Sequence, residues 1–227
     1  MMSDDSIFRE VDEAVRHDQL KALWDKYGII AMSGAVMIVV GVGGFKFWTY
    51  WQAEQAAKNG GRFIGGITLL EDKKTTEAVE VFKSLAEDAP SGYRILARFQ
   101  LAAVYAKEGR SAEAVKLYEE LASNSSLNDV QQGFANIQAA TLRVDEAPYD
   151  EILKRLEGLA VTGNPWRHSA REILGLSAYR TSDMTVAERY FNVMLTDQQT
   201  PQNMRRRAEM MLSLLVQSTS AKPPAGK

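Results

Sequence analysis

A chain of 227 residues with 27 Lys and Arg against 29 Asp and Glu is close to neutral, and it contains no cysteine. The even charge balance and the lack of a basic stripe argue against nucleic-acid binding. Without cysteine there is no disulfide framework and no thiolate metal site, and a reducing or an oxidising compartment stays equally open.

Residues 1–26 read as an acidic leader, in which Asp4, Asp5, Glu10, Asp12, Glu13, Asp18 and Asp25 outnumber the bases. Ser6 is a good helix cap, and Ile7, Val11, Ala14 and Val15 recur at helical spacing behind it. A short amphipathic helix over 7–23 is therefore expected, suited to a membrane surface more than to a docking partner.

From Tyr27 to Phe45 no residue ionises, and Lys26 and Lys46 close the two ends. Such a run, at 1.5 Å rise per residue, roughly crosses the ~30 Å hydrocarbon core of a bilayer. Phe47, Trp48, Tyr50 and Trp51 follow, the amphipathic aromatics that favour the headgroup level. A cleaved signal peptide needs a basic leader and a small-residue cleavage site, and this run has neither. The reading is a single transmembrane helix over residues 27–48. The bases flanking it give a slight bias towards a cytoplasmic N-terminus. Gly41, Gly43 and Gly44 lie inside the run with no preceding strand, so they form no dinucleotide loop; close helix packing or mere tolerance of glycine accounts for them.

Residues 52–217 read as helical throughout, with a turn signal every dozen or so residues. A repeat runs through them. Ala78, Phe82, Leu85 and Pro90 recur in type as Ala114, Tyr118 and Leu121, and again as Ala187, Phe191 and Met194. The offsets are 36 and 73 residues, one period and close to two more. Leu101, Ala102, Tyr105 and Gly109 precede the second copy, and Leu174, Gly175 and Ala178 precede the third. A degenerate unit between them is supplied by Ala139, Ala140, Ile152, Leu156 and Leu159, with Pro148 in its turn.

This pattern resembles the tetratricopeptide repeat, a helix–turn–helix of about 34 residues. The resemblance implies an all-α solenoid of about four helix pairs. Small residues sit where paired helices cross and large ones fill the gap between pairs, and Gln202–Val216 covers the last open face. Residues 218–227 read as a polar, disordered tail. By the same resemblance the inner helices line a concave groove. Aligning by period turns Phe63, Ile67, Leu70, Leu96, Phe99, Phe134, Ile137, Leu176 and Tyr179 towards it. Phe63 and Phe99 stand where carboxylate-clamping members carry lysine, so an apolar helix or extended segment is the expected occupant.

No catalytic, cofactor or metal constellation is legible. His17 and His168 flank the apolar run on opposite sides, and carboxylate pairs such as Glu71–Asp72 and Glu119–Glu120 read as solvated helix faces. Arg205–Arg207 reads likewise as a solvated face. Neither nucleic acid nor a small-molecule substrate is expected as a partner.

The single span, its glycines and the Trp48–Tyr50–Trp51 cluster, ahead of a divergent repeat domain, are similar to the YfgM-like ancillary subunits of the SecYEG translocon. Phe8–Glu13, Ala22–Gly28 and Pro165–Arg167 resemble the alphaproteobacterial branch. That resemblance implies a bacterial inner-membrane protein with a periplasmic repeat domain. Its partners would be the SecYEG translocon and a PpiD-type periplasmic chaperone. A non-catalytic scaffold for division or wall-synthesis complexes in the envelope fits the same architecture.

Overall fold

The computed structural model describes residues 4–220, and side-chain packing over 21–217 apart from residues 22, 23 and 31. Among the described residues there are nine helices and no strand. The first, α1 (Asp4–Glu71), takes in the leader and the apolar run. The side chains proposed to form the leader's apolar face, and His17, lie outside those described, as does the tail beyond residue 220. Two compact units partition the chain, residues 1–58 and 59–227.

In the first unit the described side chains of the apolar run are largely exposed. Ile29 is 84% exposed, Val39 70% and Phe47 73%. Apolar surface on that scale is unfavourable in water. Among the described residues, this is the one helix long and apolar enough to cross a membrane. Trp48 and Trp51 stack with ring centroids 5.5 Å apart.

The second unit is a succession of antiparallel helix pairs. Residues 59–71 of α1 pair with α2 (Thr75–Asp88), α3 (Ser91–Lys107) with α4 (Ser111–Ala122), α5 (Asp129–Arg143) with α6 (Tyr149–Leu156), and α7 (Arg167–Arg180) with α8 (Met184–Thr196). α9 (Gln202–Ser220) follows. Three of the turns are built alike. Each has one residue in the left-handed region: Lys73 at φ 62°, Gly109 at 77° and Ser182 at 64°. The next residue's N–H reaches back to a carbonyl five positions earlier: Lys74 to Leu69 at 2.8 Å, Arg110 to Tyr105 at 2.9 Å, Asp183 to Ala178 at 2.9 Å. These are the reversals that satisfy the last helical carbonyls.

Between the helices of a pair, small residues admit large ones. A Cβ on Gly66 would lie 2.9 Å from the Phe82 ring, and one on Gly175 would lie 2.8 Å from the Phe191 ring. Phe82, Leu85, Leu121, Phe191 and Met194 are at most 1% exposed, and Ala78, Ala102, Ala114 and Ala187 are wholly buried. The core is divided along the stack. One cluster spans Ala78 to Ala139, a second gathers Ile152, Leu156, Ile173 and Leu174, and a third joins Phe191 and Met194 to Ala208 and Leu215 of α9. The second helix of the degenerate unit is short: α6 begins after Pro148 and runs for only 8 residues. α9 continues to Ser220, past the point where the polar composition suggested a tail.

Candidate protein-binding surface

The most continuous functional feature is a row of aromatic rings carried by successive first helices. Phe99 on α3 lies 5.6 Å from Phe134 on α5, and Phe134 lies 5.6 Å from Trp166, the residue that starts α7, by ring centroids. Phe99 also leans on Tyr118 of α4 at 6.4 Å. All three contacts are tilted, with interplanar angles of 49°, 47° and 40°, between offset-stacked and edge-to-face. Phe99, Phe134 and Trp166 are half-buried.

Local sequence fixes each ring. Phe99 flanks the buried Leu101–Ala102 step of α3, which leaves it at the margin of the first core. Asn128 caps α5 by accepting from the Gln131 N–H at 2.9 Å, and the Gln131 side chain accepts from the Asn128 N–H at 3.2 Å. That reciprocal cap sets where Phe134 emerges. Trp166 is held at both ends. Its backbone N–H donates to Asn164 Oδ1 at 2.9 Å, and its indole N–H donates to the Val130 carbonyl at 2.8 Å. Gly133 provides the seat, since a Cβ there would stand 2.4 Å from the indole ring.

The positions expected to face the groove divide. Leu96 is 49% exposed one turn before Phe99. Phe63, Ile67, Leu70 and Phe99 are partly buried against the first core, with Phe63 edge-on to Phe82 at 5.6 Å. Leu70 also borders an open hollow of about 350 Å³ with Thr75, Gln100, Ala103 and Lys107. Ile137 is 7% exposed and belongs to the second core cluster, because α6 and α7 close over it. Leu176 and Tyr179 pack against the third cluster, which includes α9. Phe99 and Phe134 are thus brought together, and Ile137, Leu176 and Tyr179 stand apart from them. Trp166 completes the row and Tyr118 backs it from the core, and neither was expected there.

A second constellation is polar. Asp197, after α8, accepts at Oδ2 from Arg167 Nε and Arg171 Nη1, both at 3.0 Å, and at Oδ1 from the Gln199 N–H at 3.0 Å. The Arg167 guanidinium, above all, holds the Asp197 carboxyl well below the usual carboxylate range. His168 Nδ1 lies 3.1 Å from Thr200 Oγ1 and 3.9 Å from Asp197 Oδ2. Burial, then the adjacent Arg167, push the imidazole below its ordinary value. This is not a hydroxyl–imidazole–carboxylate relay. A relay needs the hydroxyl and the carboxylate on opposite ring nitrogens, and here both face Nδ1. Among the described residues no group of three His, Cys, Asp or Glu is placed to hold a metal ion.

The row therefore offers what a stack of half-solvated rings offers, planar apolar surface that stays partly wet until a protein segment covers it. No curated protein matches the chain. The family model that does match is that of the tetratricopeptide repeat-like domain, over residues 21–217. With its helix pairs, its repeated left-handed turns and its small-to-large crossings, the chain belongs to the tetratricopeptide repeat-like domain family.

Proposed function

We propose that this protein is a membrane-anchored, non-catalytic scaffold that holds protein partners on its repeat domain, as an ancillary subunit of the SecYEG translocon. The observation that carries the reading is the half-buried row Phe99–Phe134–Trp166 on a repeat domain whose chain also contains a strongly exposed apolar helix. In this reading the helix crosses the bacterial inner membrane once, with a cytoplasmic N-terminus and a periplasmic repeat domain. Secreted chains or a PpiD-type chaperone lie against the aromatic row. The YfgM-like resemblance of the anchor supports the choice of the translocon.

A photo-crosslinking residue placed at Leu96, exposed beside the row, tests this in whole cells. Mass spectrometry of the product is expected to find SecYEG subunits or a periplasmic chaperone. Capture of division or wall-synthesis proteins instead would move the scaffold to those complexes. A C-terminal reporter active only outside the cytoplasm is expected to be active. An inactive one, with an active N-terminal fusion, reverses the topology.

A further inference from the structure

The Asp197 constellation begins at Arg167, the residue after Trp166, and occupies the corner where the capping helix meets the last repeat. Arg167, His168, Arg171 and Thr200 are between 5% and 9% exposed. This is deep burial for two guanidiniums and an imidazole. One carboxylate serves two guanidiniums there, and the corner's backbone is tied in as well. The Thr200 N–H donates to the Asp197 carbonyl at 3.0 Å. From α9, Arg205 donates to the carbonyls of Leu195 at 2.7 Å and Asp197 at 3.1 Å. Arg171 reaches the other way, to the Ala160 carbonyl at 2.9 Å. The α6–α7 loop, α7 and the start of α9 are thereby joined through one residue.

We propose that this corner is an acid-released latch: neutral His168 lets Asp197 hold α9 on the last repeat, and protonation of His168 loosens α9 and uncovers the apolar face beneath it. The charges around the imidazole give the reason. From α7 it faces Arg167 and Arg171, from the α8–α9 loop Asp197, and α9 adds Arg205 at the same corner. Glu172, one turn along α7, is already taken by Arg207. A protonated imidazole is a further cation beside a carboxylate whose Oδ2 already accepts two guanidinium bonds and whose Oδ1 accepts a backbone one. Protonation also fixes Nδ1 as a donor, so the buried Thr200 hydroxyl, 3.1 Å away, can then only accept from it.

The sign follows from burial and the neighbouring Arg167, which hold the native imidazole below its ordinary value. Above the ordinary histidine pKa of about 6.5 the latch is intact. As the pH falls below it, the open state takes up a proton more readily than the closed one, and closure weakens. The face uncovered is the third core cluster, where Leu176, Tyr179, Phe191 and Met194 meet Ala208 and Leu215.

Hydrogen exchange on the full chain in detergent micelles, at pH 7.5 and pH 5 with intrinsic rates divided out, tests the proposal. Protection in α9 is expected to fall several-fold at pH 5, with a ceiling of about 30-fold set by a proton bound with a pKa of ~6.5. Protection in α3 and α4 is expected to hold. His168→Gln is expected to remove the difference between the two pH values. Unchanged α9 protection in the parent, an equal fall in every helix, or the same fall in the variant each overturns the latch. Should His168→Gln not fold, proton NMR of the parent, with His17→Gln assigning the two imidazoles, decides. A His168 midpoint at or above the ordinary histidine value overturns it, and one below supports it.

Discussion

Gly133 and Trp166 show how one absent side chain can place a surface. Glycine inside a helix costs about 1 kcal/mol against alanine, yet alanine at 133 would drive a methyl into the indole ring. Gly133→Ala is expected to lower stability by about 1–3 kcal/mol through overpacking, despite the better helix former. It should also shift the Trp166 emission as the indole leaves Val130. A melting curve that rises instead would mean the ring moves aside freely. Phe99→Ala should be milder than truncation of a fully buried aromatic, about 1–2 kcal/mol against the ~3–5 of a core ring. Its main effect should be on partner capture in pulldowns from membranes. At Asp197 the substitution to Asn removes the charge and keeps the shape, leaving two nearly buried guanidiniums with a neutral acceptor. The expected loss is about 2 kcal/mol, below that of a fully buried pair because the Asp197 side chain keeps 20% exposure. Since the native carboxyl titrates below its ordinary range, that contribution is complete at neutral pH and is lost as pH falls below about 4. Urea melts of parent and variant should therefore converge in acid.

At the scale of elements, the turns carry the clearest expectation. Lys73, Gly109 and Ser182 occupy the same left-handed position in three repeats. Only glycine does so without a Cβ penalty. Ser182→Gly should raise stability by about 0.5 kcal/mol, because relief of the left-handed strain slightly exceeds the added freedom of the unfolded chain. Gly109→Ala should cost about 1 kcal/mol by the reverse argument, and thermal melts of the pair give the contrast. A turn that tolerated both changes alike would mean its reversal is set by the flanking helices alone. The caps differ from helix to helix, even within one pair. α5 starts with a reciprocal Asn128–Gln131 cap, while α3 and α6 start at Pro90 and Pro148 without a side-chain cap. Proline supplies no side-chain acceptor, but its fixed φ suits a helix start.

At the scale of the molecule, the repeat unit buries its apolar residues within itself. Its three core clusters lie wholly in residues 59–227, the second compact unit. A fragment beginning at Asn59 is therefore expected to be soluble without detergent and to give a strongly helical dichroism spectrum. Aggregation of that fragment would show that the unit needs the apolar helix to fold. The first unit is the opposite case, with bulky side chains left exposed along the helix from Ile29 to Trp51.

The sequence by itself determined the helices, the repeat and the apolar run, because each is written in local periodicity. Ala78, Ala114 and Ala187 are wholly buried at the spacing that identified them, and Ala139, Ala140, Ile152 and Leu156 do supply the degenerate unit's core. Even Gly66 was legible in principle. It precedes Ala102 by 36 residues, and Ala102 precedes Gly175 by 73, the repeat's own offsets, although as one of a glycine pair it reads locally as a weak point in a helix. Only the tertiary structure decided which faces stay open. Ile137 is buried because α6 and α7 close over it, and Leu176 and Tyr179 are half-covered because they pack against the cluster that α9 completes; spacing along one helix carries no information about its neighbours. The Asp197 corner was invisible for the same reason. Its partners lie 26 to 30 residues away along the chain, and nothing in charge pattern distinguishes a buried arginine from a solvated one until the fold removes the water.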